Sequence, residues 1–102
     1  MQNIQTPQDL KTRLNQKNPS DILLDVRTQE EFNAGHIKGV INFNISTLDV
    51  MNKIQKLDKT KNYIVYCRSG GRSQMAAMLM AQDGLNVNNC QFGFMHLDGG
   101  NL

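Results

Sequence analysis

The stretch that most constrains this chain runs from Tyr63 to Ala81. Tyr63-Ile64-Val65-Tyr66 is aromatic or β-branched throughout, as a strand filling the middle of a sheet should be. Cys67-Arg68-Ser69-Gly70-Gly71-Arg72-Ser73 comes next, a poor sequence for a core. Met75-Ala76-Ala77-Met78-Leu79-Met80-Ala81 is an unbroken apolar run of good helix formers, so the helix is expected to be well covered. Gly84 after Asp83 is a natural stop, with Leu85 able to pack back on the last turn. The order is buried strand, short loop opened by a cysteine, helix.

A loop that curls from a strand end to a helix start points successive N–H groups inward and forms an anion-binding nest. The helix N-terminus adds partial positive charge at the same spot. Gly70 and Gly71 allow positive φ and leave room for a ligand. Arg68 and Arg72 add cationic side chains. Cys67 lies at the mouth of this cradle, where a thiolate is stabilised and nucleophilic near neutral pH. The bland reading, a small buried hydrophobe ending a strand, is the usual fate of a free cysteine. The residues after Cys67 favour the reactive one.

Composition narrows the class. The 102 residues suffice for one domain with a modest core, so residues 1–102 are expected to form a single domain. A net charge of +2 is too small to argue for nucleic acid or an anionic membrane. The two cysteines, Cys67 and Cys90, make neither a disulfide framework nor a zinc pattern. The start, Met1-Gln2-Asn3-Ile4-Gln5-Thr6, has no basic or apolar leader region, and no stretch is apolar enough to span a bilayer. The expectation is a soluble protein of a reducing compartment, the cytoplasm.

Upstream, Ile4 fits a short first strand. Thr6-Pro7 starts a helix with Leu10 and Leu14 on one face, which Asn18-Pro19-Ser20 ends. Ile22-Leu23-Leu24 reads as a central strand running into Asp25-Val26-Arg27, which would lie at the same sheet edge as Cys67. Thr28 and Glu31 have capping-box spacing for a short helix that Gly35 ends. Gly39 to Phe43 reads as a strand. Ser46 is expected to cap a helix through Leu57, with Leu48, Met51 (or Val50), Ile54 and Leu57 on one face. Val87 to Gln91 reads as a weak last strand, and Gly93 to Leu97 as a helical turn. Cys90 is either a buried strand residue, the favoured reading, or a resolving partner for Cys67. No partner for His96 is legible. Strands alternating with helices give an α/β domain with a mainly parallel sheet of about five strands and helices on both faces.

Three stretches together resemble the rhodanese (sulfurtransferase) family. Cys67 to Ser73 is similar to the family's active-site loop. Asp25-Val26-Arg27 through Glu31-Phe32, Gly35-His36-Ile37, Gly39 and Asn42 resembles its N-terminal signature. Leu97-Asp98-Gly99-Gly100 resembles its closing L-x-GG. They lie in the family's order and spacing, from about Asp21 onward. The family often continues past that GG with an aromatic residue, whereas this sequence stops at Leu102, leaving the packing of the C-terminal end open.

The resemblance implies a rhodanese-like fold and a thiosulfate sulfurtransferase working through a Cys67 persulfide, with no metal or organic cofactor. The donor would be thiosulfate or a similar small anion. The acceptor would be cyanide in vitro and a thiol or sulfur-acceptor protein in the cell. Loop N–H groups from Arg68 to Ser73 would hold the persulfide. Arg68 or Arg72 would attract the donor, and Ser69 or Ser73 would donate hydrogen bonds. Asp25, Arg27 and His36 are implied to be architectural rather than reacting groups.

Two competitors stand beside this reading. One is a cysteine-dependent phosphatase or arsenate reductase, but those loops place five residues between cysteine and arginine and this one places four. The other is a non-catalytic binding module of rhodanese shape, which loss of the cysteine would mark.

Overall fold

The computed structural model describes residues 2–94. His96 and the Leu97-Asp98-Gly99-Gly100 stretch lie outside the described residues, as does most of the helical turn expected over 93–97. Five strands form one sheet: β1 (Gln2–Ile4), β2 (Asp21–Asp25), β3 (Ile41–Asn42), β4 (Asn62–Tyr66) and β5 (Asn86–Cys90). Four helices connect them: α1 (Pro7–Asn15), α2 (Gln29–Ala34), α3 (Val50–Gln55) and α4 (Gly71–Gln82). The sheet order is β1-β5-β4-β2-β3, and every pairing is parallel. The α/β fold with helices on both faces is therefore the one expected.

Local signals explain most of the boundaries. Thr6 accepts the Asp9 N–H at 3.1 Å, and Pro7 opens α1. Thr28 and Glu31 close a full capping box on α2. Gly84, at φ +84°, turns the chain after α4, and the Leu85 N–H returns to the Met80 carbonyl.

Strand alternation sends side chains to two cores. Tyr63, Val65, Cys67 and Val87 join Ile54 of α3 and Ala76, Ala77 and Met80 of α4 on one face. Ile64, Tyr66 and Cys90 join Leu10 of α1, with Phe32 of α2 packed alongside, on the other.

Three expectations need correction. The strand over 39–43 is only Ile41–Asn42, because it is a sheet edge paired to β2 alone and Gly39, at φ +81°, bends the chain before it. The helix expected from Ser46 begins at Val50. Residues 45–49 form turns instead, which the Lys53 ammonium ties down through the Asn44 carbonyl and the Thr47 hydroxyl. Leu48 is consequently fully exposed and Met51 exposed, while Val50, Ile54 and Leu57 make the packed face. The apolar run of α4 is not covered all round. Met75 and Met78 face solvent at 61% and 49% exposure, since a helix on one face of a sheet buries one stripe. Among the described residues no helix is long and apolar enough to cross a membrane.

Candidate active site

The C-terminal ends of β2, β4 and β5 lie at one sheet edge, as their parallel pairing requires. In open parallel sheets that edge is where ligands bind. Cys67 leaves β4 there, and the chain curls through Arg68, Ser69 and Gly70 into α4. Gly70 takes φ +100°, a left-handed conformation that reverses the chain toward the sulfur. Its N–H donates to Cys67 Sγ at 3.0 Å. Gly71 does not use its freedom: it is helical, and nothing lies within 4 Å of where its side chain would begin.

Burial alone would raise the pKa of the Cys67 thiol, which is 1% exposed as a residue. The Ser73 hydroxyl and the N–H groups of Ser73, Ser69 and Gly70 outweigh it, so the thiol lies below its ordinary range. The buried Ser73 hydroxyl has two acceptors for its single proton, the Cys67 sulfur and, at 3.1 Å, the Gly70 carbonyl. Ser69 is exposed.

The two loop arginines are placed differently. Both Arg72 Nη atoms donate to Glu31, at 2.6 and 2.8 Å, in a bidentate fork. Glu31 is itself fixed by the Thr28 N–H and hydroxyl. The Arg72 guanidinium holds the Glu31 carboxyl down at about 2. The charge of Arg72 is thus already matched. Arg68 is exposed and pairs with no carboxylate among the described residues.

Asp25 and Arg27 form a buried ion pair. The Arg27 guanidinium donates to both Asp25 oxygens at 2.6–3.0 Å and to the Gly35 carbonyl at 2.6 Å. Its flat face lies over the Phe94 ring, 4.3 Å from the centroid. His36 stacks on Phe32 with ring centroids 3.8 Å apart, and Nδ1 lies 2.8 Å from the Phe32 carbonyl. Cys90 is buried in the core opposite that of Cys67, and burial pushes its thiol up to about 12. Neither cysteine is bridged.

The sequence reading did not find Glu31 as the partner of Arg72, nor the segment just after β5. There the Phe94 N–H donates to the Cys67 carbonyl at 2.6 Å, so Gln91 to Phe94 backs the loop. An isolated glycine, Gly93, between two phenylalanines was the available signal.

A family model for the rhodanese-like domain matches residues 6–100. The chain belongs to the rhodanese-like domain family. A Staphylococcus aureus rhodanese-like domain protein superposes with a TM-score of 0.84 at 26% identity, over 98% of this chain and 95% of that one. A rhodanese-related protein from Thermoplasma volcanium does so at 0.77 and 31% identity, over 91% and 86%. By sequence, this rhodanese-like chain is 34% identical over 77 residues to YtwF of Bacillus subtilis, whose name carries the word sulfurtransferase, covering 76% of this chain and 73% of that protein. It is also 30% identical over 70 residues to a tRNA sulfurtransferase of Actinobacillus succinogenes, where it spans only 14% of the longer protein.

Proposed function

We propose that this rhodanese-like domain is a sulfurtransferase that carries sulfane sulfur on Cys67, with thiosulfate or a similar small anion as donor. The observation that supports this best is the Gly70 N–H donated to Cys67 Sγ at 3.0 Å where the chain curls around the sulfur. The Cys67 thiolate attacks the outer sulfur of thiosulfate. The sulfur–sulfur bond of the donor breaks, sulfite leaves with the electron pair, and a Cys67 persulfide remains. A nucleophilic acceptor then attacks the outer sulfur, and Cys67 leaves as the thiolate. Both steps move one sulfur atom with its electrons balanced, and neither needs a general base once the thiolate exists.

In this reading, the N–H groups from Arg68 to Ser73 hold the developing charge as an oxyanion hole does. Gly70 supplies the turn, and Gly71 opens α4. Ser69 and Ser73 supply hydrogen bonds. Arg68 is the residue left to draw in an anionic donor, while Arg72 shapes the loop through Glu31. A relative at 36% identity, YrkF of Bacillus subtilis, has a name describing a sulfur carrier protein, although this chain spans only 32% of it. That name supports a thiol or an acceptor protein as the cellular sink. Two unbridged cysteines suit the reducing cytoplasm.

The test is thiocyanate formation from thiosulfate and cyanide. Wild type is expected to turn over, and Cys67→Ser to be inactive. No turnover with thiosulfate, polysulfide or a thiosulfonate would overturn the reading.

A further inference from the structure

The segment behind the loop makes two close backbone approaches to it. A side-chain carbon at Gly70 would sit 2.6 Å from the Gln91 carbonyl oxygen. One at Gly93 would run into the Arg68 carbonyl oxygen and come within 2.6 Å of both the Arg68 carbonyl carbon and the Ser69 nitrogen. Real side-chain carbons do not approach backbone so closely, and backbone on both sides leaves little to yield. Between these approaches, the Phe94 N–H reaches the Cys67 carbonyl. Phe94 is held in turn by the Arg27 face and by Tyr66, whose ring centroid is 6.2 Å away. The peptide facing Gly93 is Arg68–Ser69, immediately before Gly70, whose N–H donates to Cys67 Sγ at 3.0 Å.

We propose that Gly93 is a positioning residue for the Cys67 loop: its missing side chain is the space into which the Arg68–Ser69 peptide fits, so that the Gly70 N–H that comes next faces Sγ. Filling that space displaces the peptide and turns a donor away from the sulfur. Gly93 acts through the loop and touches no reacting atom.

Gly84 provides the comparison. Gly93 and Gly84 take similar positive φ, +75° and +84°, but nothing lies within 4 Å of the Gly84 side-chain position. Alanine strains the backbone at both, and only at position 93 does it meet the loop. The experiment is the pH profile of Cys67 alkylation by iodoacetamide, resolved by peptide mass spectrometry, for wild type, Gly93→Ala and Gly84→Ala. Gly93→Ala is expected to slow Cys67 alkylation at pH 7 by about tenfold, roughly one charge-assisted hydrogen bond, and to move the profile to higher pH. Gly84→Ala is expected to lower Tm and to leave the profile in place. A folded Gly93→Ala with the wild-type profile, or equal displacement in both variants, would overturn the proposal.

Should Gly93→Ala not fold, native-state hydrogen exchange on the wild type decides. The Phe94 and Gly70 amides are expected to exchange through one shared opening. A Phe94 amide that exchanges freely while Gly70 stays protected would refute the clamp. No sulfur donor is present in either experiment, so this outcome is independent of the sulfur-transfer reading.

Discussion

Two neighbouring parallel strands, β4 and β5, each hand the chain to a cysteine at or beside the same sheet edge, and the two thiols diverge in opposite directions. Cys67 is below its ordinary range, and Cys90 is pushed up to about 12. Burial alone does not separate them, since both are buried. The course of the chain beyond each cysteine does. After Cys67 the chain curls back and sets the Gly70 N–H on the sulfur. After Cys90 it runs on through Gln91 to Phe94, behind the other loop, and leaves its own sulfur among Ile4, Leu10, Ile64 and Tyr66. The few residues that come after each cysteine set the direction in which its thiol is shifted.

The largest effect is expected where both loops share a support. Asp25→Ala leaves the buried Arg27 charge unmatched, and with it the brace on Gly35 and Phe94. Breaking such a pair costs about 3–5 kcal/mol. Chemical denaturation should show a loss of that size, and a loss below about 1 kcal/mol would mean that the pair braces little.

A sharper cut falls on the donors alone. Ser73→Ala should slow Cys67 alkylation at neutral pH by about tenfold and leave Cys90 as unreactive as before. If Cys67 kept its rate, the Ser73 hydroxyl would have no part in separating the thiols.

The smallest effect concerns the frame of the Cys67 loop. The folded-state pKa of Glu31 is depressed by Arg72 to about 2. Its contribution is therefore complete above the unfolded carboxyl's value of about 4.3 and is lost as pH falls through about 2. Between those limits Tm should fall with acid more steeply in wild type than in Glu31→Gln. Parallel Tm curves would show that the fork adds nothing to stability.

Much of this was legible in the sequence because the deciding signals are local. Thr6-Pro7, the Thr28–Glu31 capping box and Gly84 each set a boundary through contacts within a few residues, and Tyr63 to Tyr66 declares a central strand by composition. The loop was legible for the same reason, since Cys67 and its donors are contiguous. What stayed hidden depends on distant segments meeting. Arg72 and Glu31 are 41 positions apart, and nothing near Arg72 says that its charge is matched. Gly93 meets Arg68 only because β5 lies beside β4. The exposed Leu48 was misplaced because Lys53 stabilises a turn where propensity alone continues a helix.

The most direct measurement is peptide-resolved mass spectrometry of the wild-type protein after exposure to thiosulfate, followed by cyanide. The expected result is one added sulfur atom on the Cys67 peptide, none on the Cys90 peptide, and its discharge by cyanide as thiocyanate. Sulfur on Cys90, or on neither cysteine with any sulfane donor, would contradict the account.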